Sequence, residues 1–419
     1  MPSTLLIPLN NVYAKGDYCA EVYVGTPAKL YHLIVDSGSS TFVIHPDKVD
    51  PSLDHVAPSQ WLQVLRYGVG NWYGPVVKAS VKIGHHPHLT ILDDVDVALA
   101  EYEAQGTFGK ADGILGLAYS SLNQAHDVSA LAPKDTQHTW PWTEQWQAIA
   151  QQPSFTDSVY QQPSVTVSPL LDVIADKHFM PDQFALMLHR SSIYQTDSTL
   201  DEQALMQQPL NRGVMVLGAP HDHTDLHHPQ YKTVKVLYDK YYNVNVKAIQ
   251  VAGSQSINVA PMIYSTTCSK RSNTIVDTGA SAMVLPQQLF DYVMTSLSNA
   301  HPGFNSLLSH YRQFTGKEIG IPLSQLHLGE WPDIIFTLEG ENGEDIELVL
   351  TPDSYWQVHA PEPNQASFKL TTLPGWGEQL ILGLPLLSEY FCIFDRAKNQ
   401  TGVIKFAEKR LPIHRTSTK

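Results

Sequence analysis

Cysteine is scarce in this chain: Cys19, Cys268 and Cys392 are the three in 419 residues, an odd and scattered set with no close pair. That excludes a disulfide-stapled scaffold and fits a reducing compartment, so a cytoplasmic location is expected. Basic charge is in deficit as well, with 27 Lys and Arg against 41 Asp and Glu and a net of −14. Nucleic acid and anionic membranes are therefore poor partners. The longest apolar runs are strand-sized, too short for a membrane-spanning helix. The N-terminal Met-Pro-Ser-Thr-Leu-Leu-Ile-Pro-Leu has a short apolar patch and no basic flank, which argues against a secretion signal. What is present is 43% hydrophobic content in a chain large enough for two cores.

Within that chain, Leu33-Ile-Val-Asp-Ser-Gly-Ser-Ser40 sets a carboxylate between an apolar run and a flexible, hydroxyl-bearing loop. Buried aspartate is costly unless hydrogen-bonded. On its own, Asp36 reads as a turn cap. The pattern recurs as Thr274-Ile-Val-Asp-Thr-Gly-Ala-Ser281. The flanks recur in the same order, Ala111-Asp-Gly-Ile-Leu-Gly-Leu117 after the first copy and Leu380-Ile-Leu-Gly-Leu-Pro-Leu386 after the second. Order-preserving recurrence marks two related units, each offering one aspartate to a shared axis.

Two carboxylates brought together cannot both ionise easily, so one keeps its proton. The pair then holds one base, to take a proton from water, and one acid, to polarise a scissile carbonyl. This is the chemistry of peptide hydrolysis by water, with no covalent intermediate. Gly38 and Gly279 let backbone N–H groups approach the carboxylates. Ser37 and Thr278 offer hydroxyls to tie each loop, and Ser39 offers one to the outer oxygen of Asp36. Ser281 belongs to the same support.

The chain resembles the pepsin family of aspartic peptidases, and in detail the bacterial pepsin homologues of the shewasin type. Tyr18-Cys-Ala-Glu-Val-Tyr-Val-Gly-Thr-Pro27 is similar to the strand that opens the family domain, and Arg66-Tyr-Gly-Val-Gly70 to the tip of its mobile flap. Lys240-Tyr-Tyr-Asn-Val244, Trp331-Pro-Asp-Ile-Ile-Phe336 and Tyr390-Phe-Cys-Ile-Phe-Asp-Arg-Ala-Lys-Asn399 follow in the family's order. The resemblance implies a mostly β, bilobal fold with pseudo-twofold symmetry and an interlobe cleft. It implies catalysis by Asp36 and Asp277, hydrophobic cleavage preference, acidic to weakly acidic pH and inhibition by pepstatin. Peptide or unfolded protein is the substrate, no cofactor is implied, and a monomer is expected. Tyr67, Gly68 and Val69 would form the lid and contact substrate, and Ile114, Tyr241, Ile275 and Ile381 match cleft-lining positions. Tyr67 packing on the hairpin base, and ordinary core roles for Ile275 and Ile381, are the plainer readings beside these.

Several departures from the family stand out. The disulfide loop common in secreted members is missing from Thr41-Phe-Val-Ile-His-Pro-Asp-Lys-Val-Asp50. Asp36 follows Met1 too closely for a basic pro-segment, so either none is made or it has been trimmed away. Val43 stands where a Trp often bonds the flap Tyr, leaving Trp61 or Trp72 to compensate. Gly109, Lys110 and Ala111 replace bulkier residues and point to a differently shaped pocket. Ala280 replaces a Thr common in acid-loving pepsins, as in renins, and removes a donor to the second carboxylate. Leu384 replaces an Asp and acts in the opposite direction. Direct hydrogen bonding dominates a screened charge, so activity reaching weaker acid is expected.

The expected domains are a lobe over 1–228, with Asp36, the flap around Tyr67 and a surface insertion near 120–167, and a lobe over 229–419 with Asp277. The termini are expected to join a central sheet between the lobes. The insertion is rich in Gln, Pro, Ser and Trp, repeats Gln-Gln-Pro-Ser at 151 and 161, and suggests a short helix near Trp142–Ala150. Further helices are expected at 169–177, 289–298 and 304–314, and strands at 184–188 and 214–217. His221-Asp-His-Thr-Asp-Leu-His-His228 and His85-His-Pro-His88 hold metal-ligand types, but in turn-like segments without fixed spacing. They read as exposed loop histidines, and no metal is assigned. A pepsin-fold binding or inhibitor protein with weak catalysis is the alternative class; such proteins usually replace a catalytic Asp or its Gly, and both pairs are intact here.

Overall fold

The computed structural model describes residues 4–410 apart from 15, 51–55, 67–69, 86–87, 105, 134–135, 137 and 263–269. It is mostly β, 41% strand and 19% helix. The chain divides into two compact units: Ile7–Phe179 with Asp239–Tyr241, and residues 4–6, 180–238 and 242–410.

The first unit is built on one long sheet. Its strands are β1 (Thr4–Ala14, from Ile7 onward), β2 (Asp17–Val24), β3 (Lys29–Asp36), β4 (Phe42–Ile44), β5 (Ala57–Arg66), β6 (Asn71–His85), β7 (His88–Leu99), β8 (Gly113–Gly116), β9 (Gln124–Asp127) and β10 (Ser164–Thr166). They lie in the order β10-β9-β5-β6-β7-β4-β8-β3-β2-β1. Leu33, Ile34 and Val35 are all buried, the unbroken apolar run expected of a strand covered on both faces. Asp36 is thus delivered at the end of a rigid central strand.

The segment near 120–167 holds two helices, α1 (Glu144–Ala150) and α2 (Phe155–Tyr160). Thr143 caps α1, its Oγ1 accepting from the Trp146 N–H at 3.3 Å. Trp146 is wholly buried and, with Ala150, Phe155 and Val159, forms one apolar cluster with Leu62 and Val64 of β5. The insertion therefore carries its own core, although its composition suggested only surface. α3 (Leu170–Asp176) follows, with Leu170, Leu171 and Ile174 buried.

Residues 180–228, grouped with the first lobe on sequence grounds, cluster with the second unit. The cause is strand pairing: β11 (Gln183–Met187) lies between β12 (Arg212–Gly218) and β22 (Tyr390–Asp395), and β13 (His227–Lys235) pairs with β23 (Val403–Lys409). Ala185, Met187, Val216, Phe391, Ile393 and Ala407 form the apolar cluster there. A second sheet contains β14 (Tyr242–Val244), β16 (Thr274–Val276), β17 (Met283–Val284), β20 (Leu370–Thr371) and β21 (Leu380–Leu382). A third contains β15 (Val246–Val251), β18 (Ile334–Glu339) and β19 (Asp345–Leu350). α4 (Gln287–Ala300) buries Leu289, Phe290, Val293, Met294 and Leu297. The helix expected over 304–314 is shorter: α5 (Phe304–Leu308) passes into a single 3₁₀ turn at Ser309–Tyr311. No helix among the described residues is long and apolar enough to cross a membrane.

The histidine-rich turn is not simply exposed. His227 is fully buried, its ring stacked on Phe391 at 4.5 Å. His221 bonds the Tyr231 hydroxyl through Nδ1 at 3.1 Å and lies 3.2 Å from Lys405 Nζ through Nε2. Apolar packing of the imidazole faces explains the burial. Among the described residues no group of three His, Cys, Asp or Glu side chains could hold a metal. The side chains of His85–His88 fall outside the described residues.

Candidate active site

Asp36 ends β3, which runs parallel to β8 with Ile34 opposite Ile114 and Asp36 opposite Gly116. β4 returns on the other side of β8, antiparallel, with Val43 opposite Ile114. The loop between β3 and β4 is tied down by backbone bonds: Leu117 N–H donates to Asp36 O at 2.7 Å, and Ala118 N–H to Ser39 O at 2.8 Å. A side chain cannot intrude at Gly116, where a Cβ would come within 2.4 Å of Thr41 N. Asp36 as a whole is 7% exposed. Oδ1 accepts from Gly38 N–H at 2.8 Å and Oδ2 from Ser39 Oγ at 2.5 Å.

Asp277 follows β16 in the same arrangement. β16 runs parallel to β21, with Ile275 opposite Ile381, and β17 lies antiparallel to β21, with Val284 opposite Ile381. Gly279 N–H donates to Asp277 Oδ1 at 2.9 Å, matching the Gly38 bond. Gly383 takes the place of Gly116: a Cβ there would lie 2.4 Å from both Ala280 O and Ala282 O. Ser37 and Thr278 are fully buried at equivalent positions. Ala280 occupies the place of Ser39 and has no hydroxyl to donate; Ser281 is half-buried.

Of the other expected site residues, Tyr67, Gly68 and Val69 lie outside the described residues. Their hairpin, β5–β6, is described on both sides of them, with Arg66 opposite Asn71. Ile114, Ile275 and Ile381 are buried and hold matched ladder positions, and Ile34, which sequence reading missed, is the fourth member. Tyr241 is half-buried and clusters with the first unit. Trp72, not Trp61, fills the space beside Val43: Trp72, Val43, Ile34 and Ile114 share one cluster, and Trp61 packs elsewhere against Val76, Ala125 and Val167.

A buried polar node was also missed. Asn123 Oδ1 accepts from Thr41 Oγ1 at 2.9 Å and from Gln63 Nε2 at 2.8 Å, and Asn123 Nδ2 donates to Val167 O at 3.0 Å. It joins the Asp36 loop to β5 and to the insertion. Asp112 fixes the entry to β8. Burial alone would raise its carboxyl, but hydrogen bonds from the His32 ring, Lys48 and the His32 amide outweigh that and hold it at about 2.

Comparison with known proteins settles the family. The model of the family described as "Eukaryotic aspartyl protease" matches residues 17–160 and 203–408, most of the chain. The chain belongs to the aspartyl protease family. Relatives of this protease include chymosin from Ovis aries, 21% identical over 95% of this chain and 83% of that protein. Cathepsin E from Aquarana catesbeiana is 23% identical over 96% and 82%, and pepsin A from Bos taurus 23% over 96% and 87%. The fold of this protease is pepsin-like, and its family is one of hydrolases acting on peptides or proteins.

Proposed function

We propose that the chain is an aspartic endopeptidase in which Asp36 and Asp277 act as a pair on one water, the ionised member as base and the protonated member as acid. The observation that carries this reading is the repeat of one architecture in each unit: a carboxylate at the end of a central strand, one oxygen held by the N–H two residues on, and a glycine the neighbouring backbone requires. Preorganised donors of this kind fix a carboxylate's direction before substrate arrives. Tyr67 closes over bound peptide, with Gly68 and Val69, and orients the scissile bond.

The apolar character of Ile114, Tyr241, Ile275 and Ile381 supports cleavage between hydrophobic residues. Acidic to weakly acidic working pH, inhibition by pepstatin and a cytoplasmic site of action belong to the same proposal. The free, buried thiols of Cys19 and Cys392 accord with a reducing compartment. Membership of a shewasin-type bacterial subgroup is part of the same proposal. The test is cleavage of a peptide library by the purified chain and by Asp36→Ala and Asp277→Ala, each with and without pepstatin. Cleavage by the parent, blocked by pepstatin and lost in both variants, is expected; pepstatin-sensitive cleavage by either variant overturns the assignment.

A further inference from the structure

The two faces of the β5–β6 hairpin rest on different parts of the first unit. Cross-strand partners share a face, and Leu65 with Trp72 turns toward Val43, Ile34 and Ile114, the cluster beneath the Asp36 loop. Val64 with Tyr73 turns the other way, onto Trp146, Ala150, Phe155 and Val159 of the insertion. The hairpin is therefore a middle layer. Its outer face is latched by side-chain bonds as well as by packing. Tyr73 OH donates to Ala150 O at 3.1 Å and Tyr160 OH to Val64 O at 3.2 Å. Arg66 reaches Thr156 Oγ1 at 3.2 Å and lies over the Tyr160 ring at 5.6 Å. On the inner side, the Asn123 node ties Gln63 of β5 to Thr41 beside the Asp36 loop.

We propose that the 120–167 insertion is a brace that sets the position and travel of the hairpin, with Tyr73, Tyr160 and Asn123 as positioning residues for substrate binding. This rests on the reading of the hairpin as the lid of a peptidase. A lid open on one face moves as a free arm; this one moves only by sliding its Leu62, Val64 and Tyr73 surface over the insertion's core or by breaking the latches. The brace limits how far the described strands of the hairpin, 61–66 and 71–76, can shift.

The test uses Tyr73→Phe, Tyr160→Phe and the double variant, which keep the apolar rings and remove one or two latches. Amide hydrogen exchange is followed over residues 61–66 and 71–76, with β22 and β23 of the second unit as internal reference. Exchange in the hairpin should quicken about fivefold for each hydrogen bond lost while the reference strands stay unchanged. Peptide cleavage should show KM rising several-fold with kcat moved much less. Asn123→Ala should raise KM and lower kcat as well, because it frees both Gln63 and Thr41. Unchanged hairpin exchange in the double variant overturns the inference, as does equal quickening in both units. Faster exchange with an unchanged KM also overturns it, since the insertion would then be structural alone. If the parent chain cleaves no peptide, the peptidase reading fails and the exchange experiment still decides whether the brace exists.

Discussion

The two half-sites share a ladder and differ in a hydroxyl. At Asp36 both carboxylate oxygens are held, Oδ1 by Gly38 N–H and Oδ2 by Ser39 Oγ. At Asp277 the Gly279 bond is repeated, but position 280 is alanine. Backbone geometry has thus been kept at both sites while side-chain donors have diverged. Backbone sets where each carboxylate points; the neighbouring side chains decide which further donors it meets.

The largest effect is expected when one carboxylate at a time is neutralised. Asp36→Asn and Asp277→Asn keep size and most hydrogen bonding, yet each should lower kcat by about 10³-fold or more, since general acid and base roles cannot be exchanged within the pair. Steady-state hydrolysis measures it, and a tenfold loss in either variant would mean that half is dispensable. Next in size are the paired glycines. Gly116→Ala and Gly383→Ala put a Cβ against backbone 2.4 Å away, so each should cost about 2–3 kcal/mol. Denaturant unfolding should show similar losses for both; a loss in one alone would show that the ladders are not equivalent under load.

The hydroxyl difference predicts opposite movements of the pH profile. Ser39→Ala removes the hydroxyl at Asp36 and Ala280→Thr adds one beside Asp277, so the pH–rate curve should move to higher pH in the first variant and to lower pH in the second. A curve that stays in place in either variant removes that hydroxyl as the cause. The smallest effect concerns the loop after β7. Burial, with the charge of Asp47 behind it, pushes the Glu101 carboxyl up to about 7 despite a hydrogen bond from Trp140 of the insertion. The folded chain then holds the proton more tightly than the unfolded one, so this contribution to stability is complete below about pH 4.5 and lost as pH rises to about 7. Glu101→Gln should flatten the fall in Tm across that window; an unaltered slope would assign the fall to other groups.

The repeat of Asp-hydroxyl-Gly with its downstream glycine motif was legible in the letters because it needs only order and residue type, and both copies lie on parallel ladders in the same register. The helix at 144–150 and the strands near 184–188 and 214–217 were legible for the same local reasons. The core of the insertion was not, since Trp146, Phe155 and Val159 are spread among Gln, Pro and Ser, and two helices of seven and six residues give too few turns for a clear apolar stripe. The Asn123 node was hidden by distance: its partners are 60 and 82 residues away, and an asparagine near a turn ordinarily reads as turn chemistry. That residues 180–228 cluster with the second unit was hidden for a related reason, because strand partners are chosen by the sheet and not by proximity in the chain.

Thr4 belongs to the second unit although β1 continues into the first, and its hydroxyl donates to Leu217 O at 2.9 Å across a separation of 213 residues. During synthesis, Thr4 emerges long before that partner exists. Asp239–Tyr241, conversely, complete the first unit after most of it has been made, with Ser121 Oγ donating to Asp239 O at 2.8 Å. Neither unit is a contiguous stretch of chain, so neither can be finished cotranslationally before the other has begun. Closing such long loops carries an entropic cost that must be met before the contacts reward it. The chain should therefore refold slowly, with its early residues among the last to find their place, and fragments cut near residue 180 should each lack a piece the other carries.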